Sequence, residues 1–349
     1  MPLHSYHLAA FLVSAVVVIL TTPIVEKIGL KVGCIDHPGE RKIHKRPMVR
    51  MGGVAIFTGA LVALLIAWWT GGFGVLPAHK SDEVWGVAIG AFSFFLLGLT
   101  DDLVGLSPLF RLGMQILIAG VAWQVGVRIE FLTIPFVGLE ELPMWLSLII
   151  TVGWLVGMAN AINMIDGVDG LAAGVSGIAA VVMLVVSLFM NQPAAALIAA
   201  SLAGAAIGFL RYNFNPAKIF MGDGGAYFMG FTLAAVGVVG LVKSVTTVAV
   251  LLPYLILAVP ILDISAVVIV RLRDGKSPFS ADKRHLHHRL LQAGLSQRLT
   301  VLLIYALTLW VGSLALAVSG IPSGVGYAIG ATLLLAYISW QAWRQARQS

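Results

Sequence analysis

The chain has 349 residues, of which 59% are hydrophobic and only 11% charged, with a formal net charge of +6. A soluble domain carries roughly 25% charged side chains, so the composition excludes an ordinary soluble enzyme and predicts an integral membrane protein. The single cysteine, Cys34, excludes an internal disulfide and argues against a cysteine-based zinc site.

The stretch from Met1 to His7 has no Lys or Arg, unlike the basic start of a cleaved signal peptide, so the first apolar run is expected to remain as a membrane helix. Apolar runs long enough to span recur at about 7–25, 52–70, 84–100, 111–127, 144–162, 171–190, 194–212, 225–242, 245–270, 299–319 and 324–343. The expected fold is an all-α polytopic bundle of about eleven transmembrane helices in a single domain, 1–349. The weakest boundaries are Asn191-Gln-Pro193, which divides one pair of runs, and the 245–270 run, which carries Pro253, Pro260 and Asp263.

Positive charge sets the orientation. With 26–51 in the cytoplasm, the alternating inner segments hold every Lys and Arg except Lys80, Arg128 and Lys243. The positive-inside rule then puts the N-terminus outside and the C-terminus in the cytoplasm, that is, inside a cytoplasmic (inner) membrane. The inner loops run about 26–51, 100–111, 160–171, 212–225 and 271–298. Asp101-Asp102, Asp166, Asp169, Asp223 and Asp282 fall on this same side, next to basic loops. Carboxylates gathered at helix ends beside cations read as a metal and phosphate site.

The first basic loop, Arg41-Lys42-Ile-His44-Lys45-Arg46-Pro47-Met-Val-Arg50-Met, leads into the double glycine Gly52-Gly53. It suits lipid head groups or a bound phosphate, and it also serves as an orientation signal. Neighbours on a helix point about 100° apart, so in Asp101-Asp102 one carboxylate can face a site while the other holds a neighbour. A general base or a magnesium ligand competes there with a plain solubility pair.

The densest polar string is Asn160-Ala-Ile-Asn163-Met-Ile-Asp166-Gly-Val-Asp169-Gly170, which follows an apolar run. On a continuing helix Asp169 would point away from Asn160. The helix is therefore expected to end near Asp166, with Gly167 and Gly170 turning the chain so that Asp169 rejoins the others. The plainer reading has Asp169 capping the next helix. In Phe220-Met-Gly222-Asp223-Gly224-Gly225 the glycines allow close backbone approach and Asp223 offers an oxygen, with a capped tight turn as the alternative.

Asp282-Lys283-Arg284-His285-Leu-His287-His288-Arg289 is rich in groups that are or can become cationic, which suits a diphosphate better than zinc. No nearby carboxylate has a recognised zinc spacing. No phosphate-binding Gly-x-x-x-x-Gly-Lys-Ser/Thr loop, dinucleotide Gly-x-Gly-x-x-Gly or Gly-x-Ser-x-Gly elbow occurs.

Taken together, the basic His-Lys-Arg-Pro…Met-Gly-Gly loop, Asp101-Asp102, the Asn160–Gly170 string and Met-Gly-Asp223-Gly resemble the polyprenyl-phosphate N-acetylhexosamine-1-phosphate transferases, in order and over nearly the whole chain. His285-Leu-His287-His288, and Met48-Val49-Arg50 before Met-Gly-Gly, are similar to the GlcNAc-1-phosphate branch rather than the MurNAc-pentapeptide branch. Gly224-Gly225-Ala226 departs from the Thr/Val-Gly-Ser of many members.

The resemblance implies transfer of GlcNAc-1-phosphate from UDP-GlcNAc to a polyprenyl (undecaprenyl) phosphate, with UMP released, as the first membrane step of cell-envelope glycan synthesis. It implies Mg2+, with Mn2+ as a substitute, held by Asp223 and Asn163 with Asp102. Asp101 is implied to position or deprotonate the lipid phosphate. His287 and His288 join the catalytic set, as does Asp166, whose task the resemblance leaves undefined. Asp169 and Phe220 are implied to hold uracil, while His44, Lys45, Asn160, His285 and Arg289 are further substrate-binding candidates. The expected partners are UDP-GlcNAc, polyprenyl phosphate and membrane lipids, with no nucleic acid; a homodimer is left open. Within the family the rival is another UDP-HexNAc donor, and outside it a secondary transporter or a lipid-binding scaffold. A transporter site should lie near the bilayer midplane, where only Asp263 is expected.

Overall fold

The computed structural model describes residues 3–37, 47–76, 78–134, 138–242, 247–275 and 284–347. His44, Lys45 and Asp282 lie outside them. Helices dominate: α1 Leu3–Val32, α2 Gly52–Trp69, α3 Ala78–Val104, α4 Pro108–Gln124, α5 Met144–Ile165, α6 Leu171–Phe189, α7 Pro193–Asn213, α8 Gly222–Val236, α9 Thr247–Ile256, α10 Ala258–Arg273, α11 Leu286–Gln292, α12 Gln297–Val318 and α13 Gly324–Ala346. The expected all-α fold is modified by two short antiparallel hairpins. β1 (Ile35–Asp36) pairs β2 (Met48–Val49) with Ile35 opposite Val49, and β3 (Phe131–Ile134) pairs β4 (Gly138–Glu141).

Among the described residues nine helices are long and apolar enough to cross a membrane, or up to ten if the bent α9–α10 pair is one span. The expectation of eleven differs at α4, which is only 17 residues long. It differs again at 245–270, which breaks after Ile256 with a 73° bend. Proline explains the break. Pro260 lacks the N–H that would bond back to Ile256, and it sits in the first turn of α10, where that loss costs little. The Asn191-Gln-Pro193 divider does separate two helices, with Asn191 at φ 54°.

Among the candidate spans of the described residues, burial does not follow hydropathy. Of the α8 span window, at a mean hydropathy of only 1.2, 94% is buried, against 11% for α13 at the same value. α8 packs against α2, α3 and α5, while α1 lies along α2 and α7, and α12 joins α6 to α13. Close approach is possible because α8 opens with glycines. A Cβ on Gly53 of α2 would collide with the Gly225 backbone. The α2 N-terminus is bonded directly to the segment before α8, with Gly52 N donating to Phe220 O at 2.9 Å and Gly53 N to Met221 O at 2.7 Å. Small residues bringing backbones together is how helices associate where lipid removes the hydrophobic drive.

Candidate active site

At one end of the bundle the C-terminal ends of α3, α5 and α7 meet the N-terminal ends of α2, α4, α6 and α8. A cavity of about 400 Å³ opens there, lined by Asp36, Arg50, Asn163, Asp166, Asp169, Asn213, Phe220, Asp223, His288 and Gln297 among others. Its size suits a nucleotide-scale ligand.

Asp223 is at its centre. The sequence places this residue in a loop, but α8 starts one residue earlier, so Asp223 sits in the first helical turn. Gly222 makes that start possible. Its φ is 74°, which other residues rarely adopt, and a Cβ there would press on Arg50 O and the Asp102 carboxylate. Asp102, with its side chain 1% exposed, accepts the Asp223 N–H on Oδ1 and the Gly224 N–H on Oδ2, each at 3.0 Å. A carboxylate on the first N–H groups of a helix satisfies orphan donors and the helix dipole together. Arg50 Nη2 lies 3.4 Å from both Asp102 Oδ1 and Asp223 Oδ1.

Asn163 Nδ2 donates to Asp223 Oδ1 at 2.7 Å. α5 ends at Ile165, as the glycine pattern predicts, with Asp166 as its C-cap. Burial first, and the Asp223 charge second, push the Asp166 carboxyl well above the ordinary carboxylate range. Gly170 turns the chain at φ 78° and is itself the N-cap of α6, so Asp169 does not cap that helix. Instead Asp169 Oδ2 accepts from Asn215 Nδ2 at 3.1 Å and Ala217 N at 3.0 Å. Asn213 ties the two loops together. Its Oδ1 accepts Gly170 N at 3.1 Å and its Nδ2 donates to Ile219 O at 2.9 Å. Phe220 is fixed by its backbone between Val49 O and Gly52 N.

Beside this wall, Asp101 bonds Arg111 and accepts Leu106 N at 2.7 Å. Arg111 Nη1 also reaches 3.6 Å from Asp223 Oδ2. Asp101, Asp102, Asn163 and Asp223 thus form one bonded cluster around two guanidinium groups.

Three expected substrate contacts, Asn160, His285 and Arg289, and one expected catalytic residue, His287, point elsewhere. Asn160 Nδ2 donates to Gln115 Oε1 at 2.7 Å and to Val156 O at 2.8 Å, so it joins α5 to α4 instead of lining the cavity. His285 is buried on Asp263, with Nδ1 2.9 Å from Oδ2. His287 is only 1% exposed. Burial first, then His288 and His285, lower its imidazole to about 3, which holds it neutral away from the cavity lining. Arg289 is exposed outside the cavity lining. Only His288 of the histidine segment faces the cavity.

The donor set suits a hard cation better than zinc. Among the described residues no three His, Cys, Asp or Glu side chains are gathered into a metal cage. Magnesium does not require one, since it takes one or two carboxylates and completes its shell with water and substrate oxygens. Among the described residues, the lining carries the carboxylates of Asp36, Asp166, Asp169 and Asp223 against the guanidinium of Arg50.

Residues 84–241 match the family described as glycosyl transferase family 4. A Bacillus subtilis (strain 168) protein named "Probable undecaprenyl-phosphate N-acetylglucosaminyl 1-phosphate transferase" is 39% identical over 297 residues, covering 85% of this chain and 80% of the relative. This chain belongs to glycosyl transferase family 4. Two further relatives agree on the branch of that family. The decaprenyl-phosphate N-acetylglucosaminephosphotransferase of Mycolicibacterium smegmatis is 34% identical, over 94% of this chain and 86% of its own length. The undecaprenyl-phosphate alpha-N-acetylglucosaminyl 1-phosphate transferase of Yersinia pestis is 29% identical, over 93% and 89%. The GlcNAc-1-phosphate branch expected from His285-Leu-His287-His288 is therefore the right one.

Within this family 4 chain, sequence reasoning missed Arg111, Asp36, Asn213 and Gln297, and it placed Arg50 in the basic loop without its carboxylate partners. Arg111 carried a signal, as a lone cation opening an apolar run, but its count as an orientation charge hid the contact with Asp101. Asn213 carried none, because its function is to hold two backbones that meet only after folding.

Proposed function

We propose that the chain transfers GlcNAc-1-phosphate from UDP-GlcNAc to a polyprenyl phosphate in a cytoplasmic membrane, releasing UMP. The observation that carries this reading is the bonded cluster of Asp101, Asp102, Asn163 and Asp223 around Arg50 and Arg111. The active site then faces the cytoplasm, with the C-terminus on that side. In support, Ser296 Oγ, at the site end of α12, lies 3.4 Å from Gln345 Oε1 in the last turns of α13.

Two anions must meet in this reaction, and their repulsion has to be offset by fixed positive charge. Arg50 and Arg111 supply it, held by Asp102 and Asp101 respectively. The acceptor's phosphate oxygen attacks the phosphorus that bears the sugar, and the bond to the departing UMP breaks with its electron pair leaving on UMP. A phosphate monoester has a second pKa of about 6, so the acceptor needs placing more than deprotonating. Asp101 contributes through Arg111, since its own oxygens are engaged. Asp169 and Phe220 hold uracil and His288 meets the donor's diphosphate or sugar. Asp223 and Asn163, with Asp102 behind them, are the residues that would hold Mg2+. When bound, the ion neutralises diphosphate oxygens and the developing charge on the leaving group.

The test is donor-specific labelling of lipid by purified protein with UDP-GlcNAc or competing UDP-HexNAc donors, with and without EDTA. We expect label from UDP-GlcNAc, lost on chelation and restored by Mg2+. Label arising only from a MurNAc-pentapeptide donor would overturn the donor assignment, and undiminished transfer in EDTA would overturn the metal.

A further inference from the structure

Asp263 lies in α10, outside the cavity and apart from the other acids, yet it is buried and both of its oxygens are engaged. Oδ2 is 2.9 Å from His285 Nδ1, and Oδ1 accepts the Leu286 N–H at 2.7 Å. A carboxylate on an apolar helix is expensive unless paired to some purpose.

The purpose is visible in what it holds. His285 is the N-cap of α11, but its own side chain makes no capping bond. α11 is only seven residues long, far too short to persist alone in water. Asp263 therefore supplies from another helix both the missing cap acceptor and the negative charge that a helix N-terminus favours.

α11 in turn presents the histidines. His285 and His287 stack at 5.9 Å and 9°, and His287 lies 4.2 Å from His288, which faces the cavity. The other side of His287 is pressed on the Asn163–Asp169 turn, where a Cβ on Gly167 would stand 2.7 Å from its Nε2. That nitrogen has no hydrogen-bond partner among the described residues, so its place comes from packing and from the clamp at the start of α11.

We infer that Asp263 is a positioning residue which, through His285 Nδ1 and the Leu286 N–H, fixes α11 so that His288 faces the cavity. The inference rests on the transfer reaction proposed above only in giving His288 a substrate to meet.

The full chain in detergent or nanodiscs tests it, with Asp263→Ala, Asp263→Glu, His288→Ala and the Asp263→Ala/His288→Ala pair. Steady-state kinetics with UDP-GlcNAc is combined with hydrogen–deuterium exchange over 284–292. Asp263→Ala should lower kcat per folded molecule by about 10- to 100-fold, the usual loss when a supporting hydrogen-bond partner is removed. Asp263→Glu should recover part of it. In the His288→Ala background Asp263→Ala should cost nothing further, and it should speed exchange in 284–292 while leaving α12 unchanged. If Asp263→Ala fails to fold, Asp263→Asn replaces it, since the amide removes the negative charge at the start of α11 and leaves one acceptor oxygen where there were two.

Multiplicative losses in the double variant, or unchanged exchange in 284–292, would overturn the inference. So would a loss that merely follows the folded fraction. If His288→Ala turns over like wild type, the place of His288 in the reaction fails, and with it the inferred purpose of the clamp. If wild type transfers no label, the proposed function fails, and exchange alone then decides whether Asp263 holds α11.

Discussion

Asp102→Asn separates the scaffold role of this carboxylate from a chemical one. In wild type its Oδ1 receives the Asp223 N–H and its Oδ2 the Gly224 N–H, each at 3.0 Å, with Arg50 3.4 Å from Oδ1. Asparagine has one acceptor oxygen, so one N–H of the α8 first turn must face an NH2 group. The loss comprises one hydrogen bond to a charged group, about 1.5–3 kcal/mol, and one buried donor left unpaired, about 1–3 kcal/mol. Solvent entry and a small shift of α8 recover part of that, giving an expected destabilisation of about 3 kcal/mol. Because the α8 first turn carries Asp223, the same shift moves that carboxylate off Asn163, and GlcNAc-1-phosphate transfer should fall by at least about tenfold. Thermal unfolding in detergent and transfer per folded molecule are the two assays. A variant that melts and transfers like wild type would refute the reasoning. One that melts like wild type but does not transfer would assign Asp102 to the chemistry.

Arg111→Ala strands the buried Asp101 carboxylate. It should cost about 3 kcal/mol, the low end for breaking a buried pair because Arg111 keeps 28% of its side chain exposed, as a melting curve would register. Arg111→Lys should restore stability better than activity, because an ammonium cannot reproduce a guanidinium's reach to both Asp101 and Asp223. Gly53→Ala should destabilise by about 3 kcal/mol, since the obstacle is the α8 backbone and cannot rotate away; a melting point equal to wild type would contradict the close packing. His287, at about 3 when folded and 6.5 otherwise, refuses a proton that the unfolded chain accepts. Its contribution is complete above pH 6.5 and is lost as pH falls toward 3, about 2 kcal/mol of it by pH 5. His287→Gln should flatten that part of the stability–pH curve, and an unchanged acid slope would show the imidazole to be hydrated.

By itself the sequence determined the membrane class, the spans at α1–α3, α5–α8, α12 and α13, the end of α5 at Asp166 and the family branch. These depend on local quantities. Apolar run length sets a span because the bilayer has a fixed thickness, and a glycine after a helix marks its end because few other residues accept positive φ. The motif residues Asn163, Asp166, Asp169, Phe220, Asp223 and His288 do converge on one cavity, as their common side of the membrane suggested. Only the tertiary structure decided the partners. Asn160 and Asn163 are three residues apart on one helix, yet one binds Gln115 and the other Asp223, because α4 and α8 pack against different faces of α5. Arg111 and Asp263 could not be assigned from spacing, since each acts on a group from another helix. His287 and His288 are adjacent, but one is packed under the 163–169 turn and the other looks into the cavity. Sequence supplies the chemistry of a side chain, whereas its direction, burial and charge depend on which helix lies next to it.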